Sequence, residues 1–428
     1  MKTQLPLFEQ PVPAHVGPHA AESFVEELAA FVYNGQSTAL VSTEVVADDG
    51  RQVDVPTFVN EFWTSKQRAA HSLHEVSYRA CFKPQLPRFF IERLTRPGDR
   101  VYDPFMGRGT TPLEAALLDR RPAGCDVNPL SKILVEPRLE PPTLPEVASR
   151  LESIDLSREG DVREDLAVFY HPDTLIEMCA LRSYLMERVL ETRLDAIDRW
   201  IRMVAVNRLT GHSPGFFSVY TLPPNQAVSV EGQRKINADR QQTPPKRDVR
   251  AIILRKTRSL LADCDRLTRE TLQHVARDAR LLTGPASETA DLSDESVDLV
   301  VTSPPFLDVV DYAGDNWLRG WFCGIDPSSV RITIAKKLEG WRQAMAEVFA
   351  ELHRVVRPGG YVAFEVGEVR GGKVRLEETV IPAGTSAGLL AELVLINSQD
   401  FTKTANCWGV TNNQKGTNTN RIVLLRRP

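Results

Sequence analysis

Two stretches of this 428-residue sequence have residue types that can do chemistry: Asp103-Pro-Phe-Met-Gly107-Arg-Gly109-Thr110-Thr111 and Thr302-Ser-Pro-Pro-Phe306. In the first, two glycines one residue apart let the backbone turn tightly against a ligand, and a helix start just beyond offers free N–H donors. A Gly-x-Gly alone is equally a tight turn that holds nothing. The third glycine of the dinucleotide fingerprint is missing, with Pro112 where it would fall, which argues against a dehydrogenase. Asp126 follows at the separation from which an acid reaches ribose hydroxyls, although an aspartate there also serves as a plain helix cap. In the second stretch, two successive prolines remove two N–H donors and leave rigid carbonyls beside one hydroxyl. That acceptor-rich corner suits an amino group, and the Phe306 ring suits a stacked planar base. Standing alone, it is a strand terminator with a core phenylalanine.

These residues need elements to hold them. Arg100–Asp103 reads as a strand, 111–118 as the helix after it, and Arg121–Asp126 as the next strand. Val297–Thr302 is a nearly continuous apolar run, the pattern of a parallel strand buried on both faces. An amphipathic helix over 341–356 stops at Pro358-Gly359-Gly360, and strands follow over Tyr361–Val366 and 421–425. Helices are expected from Pro172 to about Leu209, a linker over 136–146, and an extended loop over 211–245 in which Phe216, Phe217 and Tyr220 are interleaved. The fold class is therefore α/β.

Composition is that of an ordinary globular protein, 42% hydrophobic and 25% charged. Six scattered cysteines (Cys81, Cys125, Cys179, Cys264, Cys323, Cys407) form no close pair, which argues against a disulfide framework or a zinc site and for a reducing cytoplasm. His171 and His212 have no companions at metal spacing, so no metal is expected. The first 24 residues lack a signal-peptide core and no later run approaches a membrane span. Net charge is only −4, but 207–259 holds ten Lys/Arg against three acids, so a polyanion surface would arise by local segregation of charge.

Taken together, the two stretches resemble the amino-methyltransferase family of bacterial DNA modification enzymes. Asp103–Thr111 matches its cofactor motif Asp-Pro-Phe-x-Gly-x-Gly-Thr-Thr, and Ser303–Phe306 its catalytic motif [Ser/Asp/Asn]-Pro-Pro-[Tyr/Phe]. Phe82-Lys83-Pro84 and the strand entry at 357–366 extend the likeness. The resemblance implies a Rossmann-like class I fold dependent on S-adenosylmethionine, with an inserted, largely helical and loop region. By position it implies that Asp103, Phe105, Gly107, Gly109 and Thr110 line the cofactor and that Asp126 holds its ribose. Asp278 would stand near the adenine, and Lys83 and Pro84 would cover the methionine end. Ser303, Pro304, Pro305 and Phe306 would be catalytic. Ser-Pro-Pro favours cytosine N4 over adenine N6 within the family. A flipped base would then stack on Phe306 while Ser303 and the Pro304 carbonyl accept its amino hydrogens.

The implied organisation is a tail and lead-in over 1–57, a first part of the core over 58–135, an insert over 136–270 and a second part over 271–428. The insert is the candidate reader of double-stranded DNA, with Arg234, Lys235, Arg240, Lys246 and Arg247 as candidate contacts. A solvated basic loop beside the site is the plainer reading. Gln4-Leu5-Pro-Leu7-Phe8 resembles the pentapeptide that docks replication proteins on the sliding clamp. Competing readings are adenine N6 methylation, RNA amino methylation, and a silent cofactor-binding interaction module.

Overall fold

The computed structural model describes residues 20–47, 50–63, 70–79, 81–158, 162–222, 228–305, 312–326, 330, 337–369, 374–398 and 419–428. Phe306 and the clamp-like pentapeptide lie outside the described residues. Among the described residues nine strands form one sheet: β1 (Ala39–Val46), β2 (Gln52–Asn60), β3 (Arg100–Asp103), β4 (Arg121–Asp126), β5 (Arg280–Thr283), β6 (Val297–Thr302), β7 (Val356–Val366), β8 (Leu390–Ser398) and β9 (Thr419–Arg426). Their order across the sheet is β1-β2-β8-β9-β7-β6-β3-β4-β5. Strands β5, β4, β3, β6 and β7 are mutually parallel, β9 is antiparallel to both neighbours, and β8 pairs in parallel with β2.

Alternation explains how the middle strands are buried twice. Val300 of β6 and Phe364 of β7 face a cluster closed by α12 (Leu338–Val355) and α13 (Glu377–Ser386). Leu299, Val301 and Ala363, one residue away, face Phe24 and Leu28 of α1 (Ala20–Ala30) and Phe89 and Phe90 of α2 (Gln85–Leu94). Strands covered on both faces need apolar residues at every position, which is why β6 reads as a continuous run.

Helices α3 (Thr110–Leu117) and α4 (Leu130–Leu139) follow β3 and β4. The expected linker over 136–146 is not one. Helix α4 runs through Pro137 to Leu139, and α5 (Leu144–Ser153) starts at once under a Thr143/Glu146 capping box. Helices α6 (Pro172–Leu190), α7 (Ala196–Val206), α8 (Val230–Arg240), α9 (Val249–Leu260) and α10 (Arg266–Ala276) complete the insert. One apolar cluster runs from Leu113 and Leu134 through Trp200, Phe217 and Ile253 to Leu318 of α11 (Tyr312–Cys323), so the insert shares its core with the helices flanking β3 and β4.

Two further expectations are corrected. Residues 39–60 are not a lead-in but two strands of the main sheet, held by the parallel β2–β8 pairing. The stretch 211–245 is not a continuous loop, because 230–240 is α8, capped by Ser229 on the N–H of Gly232. Phe216 and Phe217 are buried, and the Phe217 N–H donates to the Arg208 carbonyl at 2.9 Å. Among the described residues no helix is long and apolar enough to cross a membrane.

Candidate active site

Strands β3 and β6 are neighbours, while the chain leaves them in opposite directions across the sheet, to β4 and to β7. Ligands of open α/β sheets bind in the crevice at the carboxyl ends of such a pair. Both chemically suggestive stretches emerge there. Thr302, the last residue of β6, donates from Oγ1 to Asp103 Oδ1 at 2.6 Å, and Asp103 is the last residue of β3. Oδ1 also accepts the Phe105 N–H at 3.0 Å, which starts the turn. Burial pushes the Asp103 carboxyl up to about 7, against the lowering effect of these hydrogen bonds.

The glycines serve different purposes. Gly109 (φ +77°) caps α3 in the left-handed region, and a Cβ there would overlap Val135 of α4. Gly107 (φ +49°) instead brings its N–H to Asp126 Oδ2 at 2.9 Å. Asp126 Oδ1 takes the Asn128 N–H at 2.9 Å. The carboxylate thus ties the ends of two loops together. Burial raises its pKa, and the two N–H donors work against that rise.

A segment that crosses this loop completes the wall. The Tyr78 ring lies close enough that a Cβ on Gly107 would sit 3.6 Å from its Cε1. Arg108, buried, donates from Nη1 to the Val76 carbonyl at 3.0 Å and from Nη2 to that of Phe82 at 3.5 Å. Lys83 and Pro84 are thereby held beside the glycine loop, and partial burial lowers the Lys83 pKa.

On the other side, Ser303 follows Thr302, whose register partner is Phe364, so Ser303 comes level with Glu365 of β7. The serine hydroxyl hydrogen bonds to the Glu365 carboxylate, which is 7% exposed and also accepts from Asn420 Nδ2 of β9 at 2.7 Å. Burial raises the Glu365 pKa. A hydroxyl whose proton is given to Glu365 presents only lone pairs to a ligand. Trp341 Nε1 donates to the Pro305 carbonyl at 3.0 Å, bracing the proline pair. Glu365, Asn420, Trp341 and Tyr78 were not singled out from the sequence. Only Glu365 left a signal there, a lone acid in the apolar run Tyr361–Val366.

Asp278 is a correction. It precedes β5, whose first residue Arg280 is level with Ala123, while the site-side end of β5 at Thr283 is level with Asp126. At about 3.3 Å per residue the strand separates the two ends by roughly 10–13 Å. The Asp278 carbonyl instead accepts from Arg100 Nη1 at the far edge. The position beside Asp126 belongs to Gly284, whose N–H donates to the Asp126 carbonyl at 3.0 Å. A cavity of about 470 Å³ lined by Lys132, Glu136, Arg280 and Asp291 runs along the outer strand β5 and contains none of the residues expected to act.

The basic candidates of the insert are mostly engaged locally. Lys235 pairs with Glu231 at 3.1 Å, Lys246 with Asp173 at 2.9 Å, and the Arg240 guanidinium lies 3.7 Å from the Tyr220 ring centroid. Arg234 is exposed on α8, and the Arg247 N–H donates to Thr174 Oγ1 at 2.8 Å.

The sequence profile of the DNA methylase family for amino groups (N6 and N4) matches residues 37–133, from β1 through the glycine loop into α4. The type II methyltransferase M.BsoBI of Geobacillus stearothermophilus is 21% identical over 302 residues, covering 65% of this chain and 58% of that protein. The type II methyltransferase M.MjaII of Methanocaldococcus jannaschii is 32% identical over 77 residues, covering 18% of this chain and 14% of its own. Over these segments the chain is similar to the DNA amino-methyltransferases. It spans little more than half the length of the first relative. Within the family profile fall Asp103, the two glycines and Asp126, whereas Ser303 and Glu365 lie beyond it. Among solved structures, a DNA modification methylase of Thermus thermophilus complexed with S-adenosyl-L-methionine is 23% identical over 34% of this chain and 51% of that one, with a TM-score of 0.22.

Proposed function

We propose that this chain is an S-adenosylmethionine-dependent DNA methyltransferase that acts on an exocyclic amino nitrogen, and that its target is N4 of cytosine. The observation that carries the reading is the 2.6 Å hydrogen bond from Thr302 to Asp103, because it joins the strand end before Ser303-Pro304-Pro305 to the strand end before the glycine loop.

The residues present fit the cofactor. Gly107 and Gly109 keep the loop free of side chains, and Asp126 at the end of β4 is a carboxylate acceptor suited to ribose hydroxyls. Asp103 and Phe105 shape the loop, Thr110 begins α3, and Lys83 and Pro84 border it. Asp278 has no part. When bound, the cofactor supplies an electrophilic sulfonium methyl.

The chain's own work is positioning. Ser303 Oγ, its proton held by Glu365, accepts one amino hydrogen, and the Pro304 carbonyl accepts the other. The nitrogen lone pair is thereby drawn out of conjugation with the ring and aimed for in-line attack. With the cofactor bound, these acceptors would hold the lone pair toward the methyl it supplies, and the proton shed by the nitrogen would pass to Ser303 Oγ as the serine's own proton moves to the Glu365 carboxylate. Alignment of this kind supplies much of the rate. Pro305 stiffens the corner and Phe306 offers the stacking face. The insert over 136–270 reads the duplex, with Arg234, Lys235, Arg240, Lys246 and Arg247 near phosphates. The core comprises 58–135 and 271–428, to which the strands over 39–60 add an edge.

Ser303→Ala is expected to keep cofactor binding and lose about 10²-fold in turnover, equivalent to about 3 kcal/mol in the transition state. Mass spectrometry of digested product DNA identifies the base. N6-methyladenine alone would refute the cytosine target, methylation confined to RNA would overturn the DNA substrate, and no transfer to any nucleic acid would leave a silent binding module.

A further inference from the structure

Away from Ser303, Arg208 and Lys256 converge on the Glu75 carboxylate, with Arg319 next to Arg208. Arg208 follows the end of α7, donates from Nε to the Asn207 carbonyl at 2.7 Å, and lies 4.1 Å from the ring centroid of buried Phe216. Lys256 of α9 places Nζ 3.4 Å from Glu75 Oε2, which also accepts from Ser259 Oγ at 3.0 Å. Arg319 of α11 donates to the Ser77 carbonyl at 3.1 Å and to Asn316 Oδ1 at 2.9 Å. Arg208 feels repulsion from Arg319, and Lys256 feels it from Arg208. Burial and this repulsion hold Arg208 down to about 10 and Lys256 down to about 8.

The insert shows elsewhere what a purely structural cluster looks like. Arg150 and Arg188 meet Asp195 and Asp198, two charges against two. Around Glu75 the balance is two to one, Arg319 having Asp315 as its own nearby acid, and desolvated like charges are unfavourable unless an anion joins them. The cluster reaches solvent at Glu75, whose side chain is 59% exposed. It is also next to the site. The Ser77 N–H donates to Asn207 Oδ1 at 2.9 Å, Ser77 accepts from Arg319, and Tyr78 lies against Gly107.

We propose that Arg208 and Lys256 bind a backbone phosphate of the DNA beside the base presented to Ser303. A guanidinium braced on an aromatic ring offers a rigid donor fork to phosphate oxygens, and an ammonium adds a point charge. The site rests on the reading of the chain as a DNA methyltransferase, and names contacts different from the paired charges of 231–247.

The test measures binding of a fluorescein-labelled duplex of mixed sequence by anisotropy across a salt series, for the intact chain, Arg208→Gln, Lys256→Gln, the double variant and Arg208→Lys. Each lost phosphate contact should reduce the slope of log K against log salt by about 0.9, so the double variant should lose about 2. Arg208→Lys should keep the slope and weaken binding. Cofactor binding by calorimetry should be unchanged throughout, which reports an intact fold. Inorganic phosphate at matched ionic strength should compete poorly; full competition would mean that free phosphate, not DNA, is the ligand. An unchanged slope in a double variant that still binds cofactor removes this site alone. Failure of the intact chain to bind any duplex overturns the DNA reading and this site with it.

Discussion

Asn420 Nδ2, on β9, donates to Glu365 Oε1 at 2.7 Å and so holds on β7 a carboxylate that in turn holds the Ser303 hydroxyl. Buried Glu365, so braced, gives Ser303 a direction, proton inward and lone pairs outward.

Glu365→Gln should therefore lower kcat about tenfold with little change in KM or cofactor affinity, since an amide can offer Ser303 an N–H and reverse that direction. Glu365→Asp should recover part of the loss. Protonation of Glu365 has the same consequence as the amide, so the rate of the unsubstituted chain should fall on the acid side of its pH profile and that limb should be missing in Glu365→Gln. Profiles that superimpose would limit Glu365 to a structural part.

Asp103 makes stability depend on pH with a definite sign. Its folded pKa is raised to about 7 from an ordinary carboxyl value, so the stability it contributes is present below about pH 4 and is lost as pH rises through about 7. Asp103→Asn removes this dependence. Urea unfolding from pH 5 to 8 should show the difference between the two proteins moving in favour of the variant as pH rises; a constant difference would mean Asp103 titrates at its usual value.

Asp126 has two tasks, and two variants separate them. Asp126→Ala loses the Gly107 and Asn128 N–H acceptors together with any ribose contact, so cofactor affinity should fall at least tenfold by calorimetry. Asp126→Asn keeps one acceptor oxygen and should fall less. Equal affinity in folded Asp126→Ala would take the residue out of the site.

At Gly109, alanine meets both a left-handed φ and the Val135 side chain. Gly109→Ala should cost about 2–4 kcal/mol in urea unfolding, from about 1–2 of backbone strain and the remainder from overlap. Adding Val135→Ala should relieve the overlap but leave the strain and open a cavity, so recovery should be incomplete. A neutral Gly109→Ala would show that the loop relaxes freely.

The parts of this architecture that were legible beforehand are those whose burial writes itself into local sequence. Strands at 100–103, 121–126 and 297–302 lie where their apolar runs put them, since both faces are covered. Strand β1 gave no such signal because it is an edge strand whose residues, apart from Val45, are mostly exposed. Helix α8 has no apolar stripe; it docks through Gln233, whose amide donates to the Tyr220 carbonyl at 3.0 Å, and only the Ser229 cap marked its start. Asp278 failed because β5 is a short, half-exposed edge strand beginning after the acid, so nothing local showed on which side of the strand it stood. Glu365 depends on a register between distant strands, and pairing of that kind is not written in either strand alone.

Asn397, fully buried on β8, accepts the Phe62 N–H at 2.7 Å and the Trp63 N–H at 3.2 Å just beyond β2. The partners are 335 positions apart in sequence. During synthesis at roughly 5–20 residues per second, the β1–β2 hairpin waits on the order of tens of seconds for β8 to emerge. Throughout that interval one side of β2 is an open hydrogen-bonding edge, able to pair with any extended chain nearby. Yield in a cell should therefore respond to translation speed and chaperone supply.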